Sequence, residues 1–197
     1  MTVDVPVVRA GQQDVDAVAT VIADAFHTLA PALWLMPDPD ERARLFPPYF
    51  GMFVEHAVRH GEVYLAAGGD AVSVWFPPAD APPADPENYE ARLASLVGPH
   101  LERYRTFDAM MAKVHPHEPH HYLAFLAVRP GRQGHGLGTA LLRDRLRRLD
   151  AAGAPAYLEA SEPRSRALYL REGFREHQEP YRLPGGPPLF PLWRDPR

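Results

Sequence analysis

The chain has 197 residues, a formal net charge of −4 and no cysteine. That length predicts one domain with a sizeable core. The missing cysteine excludes disulfides, thiolate metal sites and a cysteine nucleophile, and fits a reducing cytosol. The negative charge argues against a nucleic-acid partner, since it offers no attraction to a phosphate backbone, and is compatible with a cationic substrate. No apolar run is long enough to span a membrane. The first residues, MTVDVPVVRAGQQD, lack the basic and apolar regions of a secretory signal, so a cytoplasmic location is expected.

In chain order, residues 5–9 are β-branched and predict a first strand. Asp14 is placed to cap the helix that follows, where Val15, Val18, Ala19, Ile22 and Phe26 recur at helical spacing. Pro31 is expected to end that region. A long helix is predicted from about Asp38-Pro39-Asp40 to His60, stopped at Gly61 and kinked or split at Pro47-Pro48. Residues 63–67 and 71–76 read as a hairpin around Gly68-Gly69-Asp70. Residues 77–86 form a proline- and aspartate-rich loop, with Pro77-Pro78 and Pro82-Pro83. Helices are predicted over 87–97 and 101–114, separated by Gly98-Pro99. The histidines His115, His117, His120 and His121 fall in what reads as a surface loop.

Residues 122–142, YLAFLAVRPGRQGHGLGTALL, organise the rest. They read as a buried strand, a glycine-rich turn and a helix that runs to about Ala152. The helix start is stripped of side chains. It presents free backbone N–H groups and the positive end of the helix dipole, a ready site for phosphate. Residues 156–160 give a second buried strand. Ser161-Glu162-Pro163 then opens a short helix, with Ser161 as its cap, that ends at Gly173. Residues 174–183 and 189–193 predict a closing antiparallel pair around Pro184-Gly185-Gly186. The element order predicts an α/β domain with a mixed, mostly antiparallel sheet and one parallel βαβ unit in its second half.

Three phosphate motifs compete for residues 133–139. A P-loop needs a Gly-Lys-Ser/Thr ending, which is absent. A dinucleotide fingerprint needs glycine where Thr139 or Leu141 stands, although Glu159 lies roughly 20 residues on, where a ribose-binding acid belongs. The third fits: Gln133-Gly134-His135-Gly136-Leu137-Gly138 matches Gln/Arg-x-x-Gly-x-Gly/Ala. On that motif the chain resembles the acyl-CoA N-acyltransferases of the GNAT superfamily. Residues 121–175 are similar to the puromycin N-acetyltransferase-like branch through Phe125-Leu126-Ala127-Val128-Arg129-Pro130, Tyr157-Leu158-Glu159-Ala160-Ser161, Pro163-Arg164 and Tyr169-Leu170-Arg171-Glu172-Gly173-Phe174.

The resemblance implies a single GNAT-like domain over residues 1–197, with an acceptor-side half at 1–114 and an acetyl-CoA-binding core at 120–183. It implies that Gln133, Gly134, His135, Gly136, Leu137, Gly138 and Thr139 hold the pyrophosphate of acetyl-CoA. It further implies that the backbone of Leu126, Ala127 and Val128, on a strand splayed from its parallel neighbour, receives the pantetheine arm. Tyr169 would be the general acid for the departing thiolate; as a bare residue type it reads as a packed aromatic. Glu159 would be the general base, directly or through a water, with a hydrogen-bond network as its alternative role. Ser165 stands where the branch has Asn, and Ala160 where Thr is common. Phe26, His27, Trp34, Tyr49, Phe53 and Trp75 are expected around the acceptor or in the core, and Asp38, Asp40, Glu41, Asp80 and Asp85 are acids that favour a cation. No metal is expected. The implied partner is a small-molecule amine, with no nucleic acid or membrane, and the implied state is a monomer or homodimer. A non-catalytic CoA-binding module of the same fold is the alternative, with a NAD-dependent oxidoreductase behind it.

Overall fold

The sheet runs in the order β1-β2-β3-β4-β5-β8-β6, with β7 also paired to β8. These strands are β1 (Val7–Arg9), β2 (Glu62–Ala66), β3 (Ala71–Phe76), β4 (His121–Val128), β5 (Ala156–Ala160), β6 (Arg175–Glu176), β7 (Tyr181–Arg182) and β8 (Pro188–Arg194). The computed structural model describes residues 5–78 and 85–197. Every described pairing is antiparallel except β4–β5. The predicted fold class is the observed one. Pro82, Pro83 and Asp80 of the predicted loop lie outside the described residues.

The helices are α1 (Val15–Phe26), α2 (Ala30–Leu35), α3 (Pro39–His60), α4 (Tyr89–Val97), α5 (Leu101–Val114), α6 (Leu137–Ala151) and α7 (Pro163–Arg171). Strand side chains alternate between two cores. Val72, Val74 and Phe76 of β3 join Ile22, Phe46 and Phe50 from α1 and α3. Ala71 and Trp75 join Leu141, Leu142 and Leu146 of α6 and Leu158 of β5. The β3–β4 register is broken once. Val74 pairs Phe125 but Trp75 pairs Leu123, so Ala124 is an extra residue. This β-bulge turns Ala124 and Phe125 toward the same core, beside α1 and α3.

Four local expectations change. Asp14 stands at the start of α1 but does not cap it; its carboxylate accepts from the Gly11 N–H at 2.8 Å instead, closing a short 3₁₀ turn. Pro31 does not end the helical region but sits in the first turn of α2, where a missing N–H is harmless. The Pro47-Pro48 pair does not split α3, which runs through it; Asp38 caps its start, accepting from the Asp40 and Glu41 N–H groups. Ser161 is not the cap of α7: that place belongs to Glu162, without a side-chain bond, and Pro163 follows in the first turn.

Candidate active site

The site begins where β4 and β5 part. Only His121↔Ala156 and Tyr122↔Tyr157 pair between them. From Leu123 onward β4 keeps its partner β3 but has no neighbour in β5, whose own residues through Ala160 pair with β8. One edge of β4, including Leu126, Ala127 and Val128, is therefore left with backbone groups facing a gap. A cavity of about 540 Å³ enters that gap and is walled by β4, β5, α7 and the helices of the first half.

At the end of β4 the chain turns into α6. The Arg129 N–H donates to the Asp70 carbonyl at 2.8 Å, and the Arg129 and Arg132 guanidiniums both bind the Asp70 carboxylate, at 3.1 and 2.9 Å. The hairpin turn between β2 and β3 thus fixes the loop. Gln133 donates through Nε2 to the Val128 carbonyl at 3.2 Å. Gly136 precedes α6 at φ 80, ψ 1, a left-handed conformation that favours glycine, and caps α6 with no side chain. The first-turn N–H groups of Leu137, Gly138 and Thr139 have no carbonyl of their own helix to bind. A Cβ on Gly138 would lie 3.4 Å from Val128 Cγ2, so α6 sits close against β4 there. The cavity touches this loop at Val128 and Gln133; Gly134, His135, Gly136, Leu137, Gly138 and Thr139 are not among its walls.

Glu159 and Tyr169 both line the cavity. The Glu159 side chain is 2 % exposed. Burial pushes its carboxyl up to about 7, against the opposing influence of the Tyr157 and Tyr122 hydroxyls. Neither hydroxyl makes a hydrogen bond of ordinary geometry, so both carboxylate oxygens are buried without a partner among the described residues. Such a group is costly to keep unless it has a use. Tyr169 is buried on α7, edge-on to Phe174 at 5.8 Å. Burial raises its phenol well above the ordinary value, so it is protonated at neutral pH. Ser165 also lines the cavity and donates through Oγ to the Glu162 carbonyl at 3.0 Å.

The acceptor-side expectations divide. Phe26, Tyr49 and Phe53 line the cavity. His27 does not; it faces a separate, shallower pocket with Arg129 and Gln133. Trp34 is also elsewhere: its indole N–H donates to the Pro184 carbonyl at 3.0 Å, tying α2 to the turn before β8. Trp75 is 0 % exposed and belongs to the core on the α6 side of the sheet. Its place follows from strand alternation, since Val74 and Phe76 take the other face. Among the acids, Asp38 is a helix cap, Glu41 binds His100 at 2.9 Å, and Asp85 lines the cavity.

Several wall residues escaped the sequence. Asp108 of α5 accepts from the Tyr89 hydroxyl at 2.9 Å, and burial raises its carboxyl to about 6. Tyr122 of β4 faces Glu159. The histidine segment is not the expected surface loop: His115 and His120 are 7 % and 4 % exposed, and His121 begins β4. Among the described residues, no group of three or more His, Asp or Glu converges as a metal site.

Residues 102–174 match the family model described as Acetyltransferase (GNAT) family. A mycothiol acetyltransferase from Streptomyces avermitilis is 42% identical over 69 residues, 34% of this chain and 22% of the relative. The chain thus spans about a fifth of that protein's length. Among solved structures, the histone acetyltransferase HPA2 and related acetyltransferase of Corynebacterium glutamicum aligns over 98% of this chain and 97% of its own, with a TM-score of 0.73 and 27% identity. Arylalkylamine N-acetyltransferase 2 from Aedes aegypti shares the fold, with a TM-score of 0.66, 11% identity and coverage of 98% and 100%. So does the Drosophila melanogaster polyamine N-acetyltransferase, with a TM-score of 0.62, 14% identity and the same coverage.

Proposed function

We propose that this chain, which carries a GNAT acetyltransferase domain on the GNAT fold, moves an acetyl group from acetyl-CoA to a primary amine of a small molecule by direct attack. The observation that carries this reading is that Glu159 and Tyr169 line one cavity opening into the split between β4 and β5. The split supplies what an extended amide-bearing arm needs, a strand edge with free backbone groups at Leu126, Ala127 and Val128. The stretch from Gln133 to Thr139 supplies backbone N–H donors for a pyrophosphate, with Gly134 and Gly136 allowing the turn. Ser165 is placed to contact the arm in place of an amide side chain.

Glu159 takes a proton from the incoming ammonium, directly or through a water. Its oxygens have no competing partner, and a carboxyl titrating near neutrality is matched to that task. The amine nitrogen then attacks the thioester carbonyl. A backbone N–H of the free β4 edge holds the oxyanion. Tyr169 protonates the sulfur as the carbon–sulfur bond breaks, and the second proton lost by the attacking nitrogen restores its phenol, directly or through water. Without a cysteine, no thioester intermediate forms on the protein. The cavity walls include Asp85, Asp108, Glu159 and Glu162, against Arg164 as the fixed cation among the described residues, which suits an ammonium substrate. Aromatic walls at Phe26, Phe53, Tyr89 and Phe125 suit an apolar body on that amine.

Calorimetry with acetyl-CoA tests the donor half of this reading. Saturable binding of one acetyl-CoA per chain is expected, and no binding at millimolar ligand overturns it.

A further inference from the structure

The buried histidines behind Glu159 are not used by the mechanism above, yet their hydrogen bonds fix which nitrogens carry protons. His120 Nδ1 lies 2.6 Å from the Glu118 carbonyl oxygen. A carbonyl only accepts, so Nδ1 is the protonated nitrogen of His120. Both rings are held neutral: burial lowers His120, and burial with the neighbouring His120 and His117 lowers His115 to about 4. A neutral imidazole has a single N–H. His120 Nε2 is therefore bare and accepts from His115 Nε2–H at 3.1 Å. That leaves His115 Nδ1 bare as well. It is the atom that faces Glu159 Oε1, 3.9 Å away.

This arrangement treats the two forms of Glu159 differently. A bare nitrogen offers a carboxylate no hydrogen bond, whereas a protonated carboxyl can donate to it after a small side-chain shift. The opposite tautomer, with the proton on Nδ1, would donate to the carboxylate and hold it as an anion, which weakens it as a base. The groups that face this chain from its surroundings are Tyr122 on β4, Tyr157 on β5 and Tyr181 on β7 around Glu159, His117 beside His115, and Glu118, His121 and His177 beside His120. None of them is a fixed cation. The rings are packed in place: His115 lies edge-on to Tyr122 and Tyr157 at 4.9 and 5.2 Å, and His120 edge-on to Trp193 at 5.4 Å.

We infer that His115 and His120 are positioning residues that act as a tautomer lock, presenting a bare imidazole nitrogen to Glu159 so that the carboxyl can take up a proton and hold it. The inference rests on Glu159 being the base. Long-range proton–nitrogen NMR spectra of the histidine-labelled protein at neutral pH should show His115 protonated on Nε2 and His120 on Nδ1. His115 protonated on Nδ1 in the wild type overturns the lock outright, even where no variant folds. In His120→Leu, His115 loses its acceptor and should redistribute toward the Nδ1–H form. The Glu159 carboxyl titration and the acid limb of kcat/KM should then both fall by roughly half a pH unit or more. His120→Gln, whose amide oxygen can accept from His115, should restore the wild-type titration. An unchanged Glu159 titration in a folded His120→Leu overturns the proposal. Absence of turnover in the wild type with every amine would sink the acetyltransferase reading instead, while the tautomers and carboxyl titration still report on the lock.

Discussion

On the proposed mechanism, Glu159 ties function and stability to one proton. Its carboxyl must be ionised to accept from an ammonium, and it titrates at about 7. At a fixed concentration of the ammonium form, kcat/KM should rise about tenfold per pH unit below 7 and level off above it. Glu159→Gln should lower kcat by about 100-fold or more and abolish that acid limb, as pH–rate profiles will show. Stability runs the other way. The folded carboxyl titrates above its ordinary value near 4.5, so the protonated group's contribution is fully present below about 4.5 and is lost as pH rises through 7. At about 1.4 kcal/mol per unit, the buried anion costs on the order of 3 kcal/mol at pH 8. Glu159→Gln should therefore raise the thermal midpoint at pH 8 and change it little at pH 4.5, by calorimetric scan. Tyr169→Phe should cost about 100-fold in kcat while leaving the thermal midpoint nearly unchanged, because the hydroxyl has no hydrogen-bond partner among the described residues. Both residues were visible in the sequence through their motifs. His115 was not: prolines and histidines read as a surface loop, and only the packing of Tyr122, Tyr157 and Trp193 around them shows that they are buried.

At the level of elements, the strand–turn–helix from β4 to α6 does two jobs with its glycines. Gly136 is required by backbone conformation, since its φ of 80 lies where a Cβ is strained. Gly136→Ala should destabilise by about 1 kcal/mol in denaturant titrations and weaken acetyl-CoA binding by more than the stability loss explains, because the donors of the α6 start move with it. A Cβ at Gly138 would meet Val128 Cγ2 at ordinary contact distance, so a larger side chain such as Gly138→Leu should lower stability first. The sequence showed the glycine spacing but not this division, which depends on how α6 sits on β4. It also showed β4 as a strand, but neither its half-buried character nor the bulge at Ala124. A bulge leaves no signature in a run of apolar residues, because Ala124 and Phe125 suit either face. A helix start was legible where an aspartate met a proline, at Asp38, though its cap was not, and the cap at Asp14 was misread because a short 3₁₀ turn captured its carboxylate first.

Across the whole molecule, the second half carries the readable chemistry and the first half shapes the space. The sheet order brings β3, β4 and β5 side by side, and the parting of β4 from β5 opens the cavity at the seam of the two cores. α1 and α3 then close it with Phe26, Tyr49 and Phe53. Periodicity gave the helices, and the family resemblance gave the expectation that these aromatics line a pocket. Trp34 and Trp75 do not line the cavity, and Trp75 takes the core place that was its other expected position, because an aromatic at a helix or strand position carries no mark of which face it serves. Asp108 comes to the cavity only through α5 packing against α4, where Tyr89 holds it. On the proposed function, acceptor identity is written in cavity residues that converge from four helices and share no local pattern. The most direct test of the account is thiol release from acetyl-CoA across a panel of primary amines. The account predicts release that depends on the amine and is lost in Glu159→Gln. Acetyl-CoA that binds but yields no amine-dependent thiol with any member of the panel would contradict it.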